Sequence, residues 1–275
     1  MLHAAAFLAA RYAIHPLYDA PLNSPDKALA MMGALRKRWR RMAKLLFDAK
    51  WRGLLMHGEP SPLKLTYMMN CPPFGMRLPE DEEERSPQRR CCHRRSICPF
   101  CYCRDYVINA FDRLVGPATQ KGRELWEFRE IIRIKTRSDT TLAETTKKIK
   151  EIIVGSGRRQ QHDMLRPKPV GGIVFHRVRP QRDGEKLTGF DVYRSTLAVV
   201  EAGTELRLAK RSTIRLHRDC TKANLARVVG RCFSYPSEWY EQKPGTIMML
   251  LARLTKARVF AAYGECRRSS KETDS

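Results

Sequence analysis

GFDVYRSTLAVV, residues 189–200, decides the fold, because it is one of several strand-like segments that follow one another in the second half of the chain. The segment ELRLAKRSTIRLH (205–217) is expected to pair with it as a hairpin joined through EAGT. The other predicted elements are the strands WEFREIIRIK (126–135) and VGGIVFHRV (170–178) and the helices LAETTKKIKEII (142–153) and NLARVVGRCF (224–233). The order strand, helix, strand, strand, strand, helix predicts an α+β domain built on an antiparallel sheet flanked by helices.

The first half of the chain contains a predicted basic helix, a strand-like segment and a further helix. Residues 27–50 repeat apolar residues at helical spacing, with Lys and Arg between them, which predicts an amphipathic basic helix. Its basic face is either a phosphate-facing arm or an ordinary solvated face. Residues 63–70 are strand-like, and RDYVINAFDRLVG (104–116) predicts a helix with Val107, Ala110, Phe111 and Leu114 on one face. The expected organisation is a basic helical region 1–62, a zinc-binding segment 63–116, an α+β domain 117–267 and a disordered tail 268–275.

The charge of the chain points to a polyanionic partner. Lys and Arg total 52 against 29 acidic residues, which gives a formal net charge of +23 among 275 residues. Nucleic acid is the favoured partner over an anionic membrane surface or an acidic protein. No apolar run is long enough to predict a membrane span, and the N-terminal segment does not have the pattern of a secretory signal. A cytoplasmic protein is therefore expected.

A cysteine-rich stretch, CCHRRSICPFC at 91–101, predicts a metal site. Zinc takes four thiolate or imidazole ligands, often as a close pair on a knuckle plus a second pair from elsewhere in the chain. Cys98 and Cys101 form the close pair, and Cys71 with Cys92 is the favoured second pair; Cys91, His93 and Cys103 remain rivals. A redox CxxC is less favoured, because such a motif opens a helix after a strand and needs no further cysteines. Cys220, Cys232 and Cys266 are expected to be small buried hydrophobes.

Arginines surround this cluster and are expected to present positive charge to a phosphate backbone. They are Arg89, Arg90, Arg94, Arg95 and Arg104.

The order Cys71, acidic loop, Cys92, CPFC and basic helix resembles the zinc-binding segment of bacterial plasmid rolling-circle replication initiator proteins. FREIIRIKT, VGGIVFHRV and ARVFAAYGECR follow in the order of that family's catalytic-domain segments. The resemblance implies a replication-initiator-like sheet, a structural zinc ion and DNA as the partner. It also implies strand nicking by a tyrosine, with Mg²⁺ or Mn²⁺ held by a His-hydrophobic-His strand.

The elements of that nicking site are incomplete in this sequence. No HxH pattern occurs, and the aligned strand 189–200 contains no histidine. The tyrosines in the corresponding region are Tyr235 and Tyr240, which are the candidate nucleophiles. We therefore expect a DNA-binding relative without the standard nicking site, so that Mg²⁺ or Mn²⁺ is needed only if nicking survives.

Three alternatives stay open. An active nickase requires His176, His217 and an acidic residue such as Asp191 or Glu201 to converge on one metal ion. A zinc-containing RNA- or ribosome-binding module predicts affinity for single-stranded RNA. A basic protein with a purely structural zinc would bind another protein. Hydrolase and nucleotide-binding motifs such as GxSxG, GxGxxG, HExxH and a Walker loop are not found in the sequence.

Overall fold

A computed structural model of the chain describes residues 37–45, 98–135, 142–155, 165–166, 168–183, 186–206, 213–233 and 259–267. The helices are α1 (37–45), α2 (Pro99–Tyr102), α3 (Asn109–Ala118), α4 (Leu142–Gly155) and α5 (Lys222–Cys232), and a π-helical segment (Cys103–Ile108) joins α2 to α3. The strands are β1 (Arg123–Lys135), β2 (Leu165–Arg166), β3 (Gly171–Asp183), β4 (Lys186–Glu201), β5 (Glu205–Leu206), β6 (Thr213–His217) and β7 (Phe260–Gly264), and a 3-10 turn (Glu265–Arg267) follows β7. None of the helices in these ranges is both long and apolar enough to cross a membrane.

Five strands form one antiparallel sheet in the order β6-β1-β4-β3-β7. The predicted strand 189–200 lies in β4, at the centre, and pairs with β1 from Arg123↔Glu201 to Lys135↔Gly189. On its other edge β4 pairs with β3. The predicted α+β class with an antiparallel sheet is confirmed, as are the strands at β1, β3 and β4 and the helices at α4 and α5.

The predicted hairpin between residues 189–200 and 205–217 is wrong. Strand β5 pairs with β2 in a separate two-stranded sheet, and β6 pairs with the outer edge of β1. Both hydrogen-bonding edges of β4 are occupied by β1 and β3, so residues 213–217 cannot pair with β4 and join the sheet at the outer edge of β1. At the turn after β4, the N–H of Ala202 donates to the Gly122 carbonyl, which ties this turn to the start of β1.

The helical run from Pro99 to Ala118 packs against one face of the sheet. Val107, Ala110, Phe111 and Leu114 are all buried, as the predicted apolar face requires. The ring of Phe175 on β3 meets Tyr102, Tyr106 and Phe233 with centroid distances of 5.8, 5.2 and 4.7 Å. Burying a side chain of this size contributes about 1.5–3 kcal/mol. These rings join the cysteine-bearing helix to the sheet.

Helix α1 belongs to the same core. Trp39, Met42 and Ala43 are buried in the cluster that contains the sheet residues, which confirms the amphipathic character predicted for this part of 27–50. The remaining residues of 27–50, the strand-like segment 63–70 and the tail 268–275 lie outside the described ranges.

The opposite face of the sheet has a second, smaller core. Phe128, Ala198 and Val200 are buried there, and the rings of Trp126 and Phe128 stack with their centroids 6.3 Å apart. Residues directly opposite each other in an antiparallel pair have their side chains on the same face. The strand pairing therefore shows on which of the two faces of the sheet each polar side chain of β1, β3, β4 and β6 lies.

Gly264 ends β7 in a conformation that requires glycine. Its φ is +56°, and a Cβ at this position would overlap the carbonyl oxygen of Val170. The close approach lets the N–H of Glu265 donate to that carbonyl at 3.1 Å. Glycine therefore permits the turn that seats Cys266 in the core.

Candidate functional site

The predicted close pair of zinc ligands lies at the start of the helical run. Cys98 immediately precedes α2, Pro99 occupies the first helical position, and Cys101 follows one turn later. Proline suits that position, because its missing N–H would have no helical acceptor there. Both cysteines are buried, and the carbonyl of Cys98 accepts from the N–H of Tyr102 at 2.8 Å. Two thiols one helical turn apart are thus held at a fixed point of the core.

CPFC does open a helix, which corrects part of the argument against a redox motif. A redox CxxC opens a helix after a strand, and the helix begins here at Pro99. The residues before Cys98 lie outside the described ranges. The position of CPFC at a helix start therefore does not distinguish a zinc site from a redox pair. The presence of two further ligands, tested by experiment, would distinguish them.

Most of the remaining predicted site residues fall outside the described ranges. This holds for Cys71, Cys92 and their rivals Cys91 and His93, for Arg89, Arg90, Arg94 and Arg95, and for Tyr235 and Tyr240. Arg104 lies in the π-helical segment next to Cys103.

Within the described ranges, no three His, Cys, Asp or Glu side chains form a group that could hold a metal ion. Cys103, a rival ligand, therefore does not complete such a group with Cys98 and Cys101. Burial raises the pKa of the Cys103 thiol above its ordinary value. The other two ligands of the predicted site, Cys71 and Cys92, lie outside the described ranges.

Two of the three distant cysteines, Cys232 and Cys266, are buried in the core, as expected. Burial raises the pKa of both Cys232 and Cys266 to about 12, so neither is a thiolate at neutral pH. Cys220 is half-buried, and its thiol donates to the carbonyl of His217 at 3.4 Å.

The structure does not bring His176 and His217 together. His217 pairs opposite Leu125 at the β6 edge, whereas His176 lies on β3 opposite Arg194, on the other face of the sheet. Strands β1 and β4 separate them, a spacing of about 14 Å across the sheet. Burial and the charge of Arg194 lower the pKa of His176 to about 4, so it is neutral at physiological pH.

The acidic residues proposed to complete that metal site are paired elsewhere. Asp191 Oδ1 accepts from Gln181 Nε2 at 2.9 Å and lies 3.8 Å from Arg133 Nε. Glu201, at the end of β4, pairs with Arg123 at 3.3 Å. The convergence of two histidines and a carboxylate that the active-nickase hypothesis required is not formed.

A charged network that the sequence did not predict surrounds Glu127 on β1. This carboxylate is 1% exposed, and Nε2 of His217 donates to its Oε2 at 2.9 Å. Arg129 Nε lies 2.5 Å from Oε1, and Arg231 on α5 pairs with Oε2. Arg129 Nη2 also donates to the Cys232 sulfur at 3.5 Å.

Burial alone would raise the pKa of Glu127. The hydrogen bond from His217 and the charges of Arg129 and Arg231 outweigh it and lower the pKa from 4.5 to about 2. Glu127 is therefore a carboxylate across the physiological range. It is suited to holding cations in position and not to donating a proton.

Exposed positive charge is concentrated on α1. Lys37, Arg38, Arg40, Arg41 and Lys44 are all exposed, whereas the apolar residues between them are buried in the core. A second cationic surface lies at the far end of the sheet, where the Arg177 guanidinium sits 4.5 Å from the Tyr193 ring centroid and Arg133 and Arg179 are exposed.

In the comparisons with family models, curated proteins and solved structures, no match to this chain is found.

Proposed function

We propose that this chain is a zinc-stabilised DNA-binding protein of replication-initiator type that lacks the standard strand-nicking site. The observation that carries the proposal is the cationic face of α1, which five exposed Lys and Arg side chains form over a helix anchored by Trp39. The net charge of +23 favours the same class of partner.

The anchoring of α1 in the core matters because a basic helix with fixed cations can act as a binding surface, unlike a flexible basic tail. Trp39 is fully buried, so the cations beside it keep a fixed spacing relative to the sheet. Nine helical residues span about 13 Å, and duplex DNA carries one phosphate charge per about 1.7 Å of its axis. Several phosphates therefore lie within reach of this one face.

The proposed zinc ligands are Cys71, Cys92, Cys98 and Cys101. The two that the structure describes are buried at the start of the helical run, where a bound ion would fix the adjoining basic segment against the core. The proposed phosphate contacts near the ion are Arg89, Arg90, Arg94, Arg95 and Arg104.

The proposal that nicking has been lost rests on the central strand. β4 carries no histidine, and the two nearest candidates, His176 and His217, lie on opposite faces of the sheet. No described arrangement would place a divalent ion beside a scissile phosphate.

The test is fluorescence anisotropy of labelled single-stranded DNA, hairpin DNA and RNA of the same sequence, titrated with the full chain. Lys37, Arg41 and Lys44 share one face of α1, and neutralising all three to Gln should lower the slope of log K against log salt by about 2 for single-stranded DNA. The control neutralises three exposed cations elsewhere, Lys121, Lys147 and Lys148.

Two results would overturn the proposal. If the control variant weakened binding as much as the α1 variant, net charge and not this face would carry the interaction. If RNA bound more tightly than DNA in both forms of the protein, the RNA-binding alternative would replace it.

A further inference from the structure

The network around Glu127 has a layered distribution of charge. The Glu127 carboxylate lies beneath the arginine side chains and is 1% exposed. The side chains of Arg129 and Arg231 are 31% and 30% exposed. Arg215 stands directly opposite Glu127 on β6, on the same face, and is exposed. Two guanidinium groups thus contact the buried carboxylate, and a third lies on the same face at the neighbouring strand position.

The donors of this network are not used up by Glu127. Glu127 engages Nε of Arg129 and Nη2 of Arg231, and Nη2 of Arg129 donates to the Cys232 sulfur, whereas each guanidinium carries five N–H donors. Among the described residues, Arg215 has no ion-pair partner. The exposed Thr213 adds a hydroxyl opposite Arg129.

Phosphate is the chemical group that fits this arrangement. Guanidinium forks bind phosphate oxygens with paired, charge-assisted hydrogen bonds, and side chains held in place lose less entropy on binding. Glu127 supplies that restraint, because it contacts both Arg129 and Arg231 from below. An isolated structural ion pair would not require the third guanidinium on the same face.

We propose that Arg129, Arg215 and Arg231 form a phosphate clamp on this face of the sheet, with Glu127 as the positioning residue beneath it. Resting on the proposed function, the ligand is a phosphodiester group of the bound DNA strand. The clamp lies on β1, β6 and α5, separate in sequence from both α1 and the cysteine segment.

The test uses the full chain, labelled single-stranded DNA and the variants Arg215→Gln and Arg231→Gln. Each is expected to weaken DNA binding about fivefold at low salt and to lower the salt slope by about 0.7. The matched control is Arg218→Gln, which removes the same charge from an 82% exposed side chain paired with Glu124. Glu124 lies on the opposite face of β1 from Glu127.

Glu127→Gln tests the positioning role by the sign of its effect. Simple electrostatics predicts tighter DNA binding when a negative charge is removed from a cationic surface. The clamp predicts weaker binding, because the guanidinium groups lose their restraint. Circular dichroism at the assay temperature establishes that the variant is folded; if it is not, Arg215→Gln, at an exposed position, decides.

The possible outcomes separate the clamp from the proposed function. Wild-type DNA binding that Arg215→Gln and Arg231→Gln reduce no more than Arg218→Gln would overturn the clamp alone. Inorganic pyrophosphate serves as a second probe. If the wild-type protein bound no DNA but bound pyrophosphate, and Arg231→Gln abolished that binding, the clamp would stand and the DNA proposal would be overturned. Binding of neither probe would overturn both.

Discussion

Replacing Glu127 by glutamine should cost the protein a large and pH-dependent share of its stability. Glutamine keeps the size of the side chain and resembles the protonated acid, so the substitution removes the charge that His217, Arg129 and Arg231 stabilise. The pKa falls from 4.5 to about 2 on folding. At 1.36 kcal/mol per pKa unit, the charged form contributes about 3 kcal/mol to the free energy of unfolding.

The direction of the pH dependence follows from the lowered pKa. The contribution is complete above pH 4.5 and is lost as the pH falls through about 2. The difference between wild type and Glu127→Gln should therefore be about 3 kcal/mol at pH 7 and shrink to about 1.4 kcal/mol near pH 3. His176 titrates with a lowered pKa in both proteins, so its effect cancels in the difference.

The assay is urea unfolding followed by circular dichroism at several pH values between 3 and 7. Equal slopes against urea for the two proteins would establish that the midpoints report stability. A difference below about 1 kcal/mol at pH 7, or one that does not change with pH, would refute the account of Glu127 as a buried carboxylate stabilised by its cations.

Three further predictions address the cap of α5, the cysteine site and strand nicking. Thr221 caps α5 by accepting from the Asn224 N–H at 3.4 Å, so Thr221→Ala should lower the unfolding free energy by about 1 kcal/mol in the same urea assay. The purified protein should contain one zinc ion per chain by elemental analysis. Cys98→Ser should lose the ion and Cys232→Ser should keep it, whereas a Cys98–Cys101 disulfide without zinc would favour a redox pair instead. Incubation with hairpin DNA and Mn²⁺ should give no covalent protein–DNA adduct on a denaturing gel; an adduct that disappears in Tyr235→Phe or Tyr240→Phe would make this chain a working nickase.

Local patterns predicted the main elements of the fold. β1, β3 and β4 coincide with segments rich in β-branched and aromatic residues, and α3 and α5 coincide with apolar residues at helical spacing. The local sequence could not predict which strand β6 pairs with. A short turn sequence suggests a hairpin, but which edges are free depends on the whole sheet.

The network around Glu127 was missed for a related reason. In WEFREIIRIK, charged residues alternate with apolar ones, which is typical of a strand with one solvated face. Here Glu127 lies on the face that α5 covers, and the presence of Arg231 on that helix makes burial of the carboxylate tolerable. The sequence does offer a signal, which is a Glu and an Arg two residues apart in a strand, followed later by a helix with an arginine in its last turn.

The salt dependence of binding to DNA and to RNA of the same sequence decides whether this chain is a DNA-binding protein. We expect tighter binding of DNA, with a slope of log K against log salt of about −3 or steeper, since the five exposed cations of α1 would contact its phosphates. No DNA binding at low salt, a slope near zero, or tighter binding of RNA would contradict it.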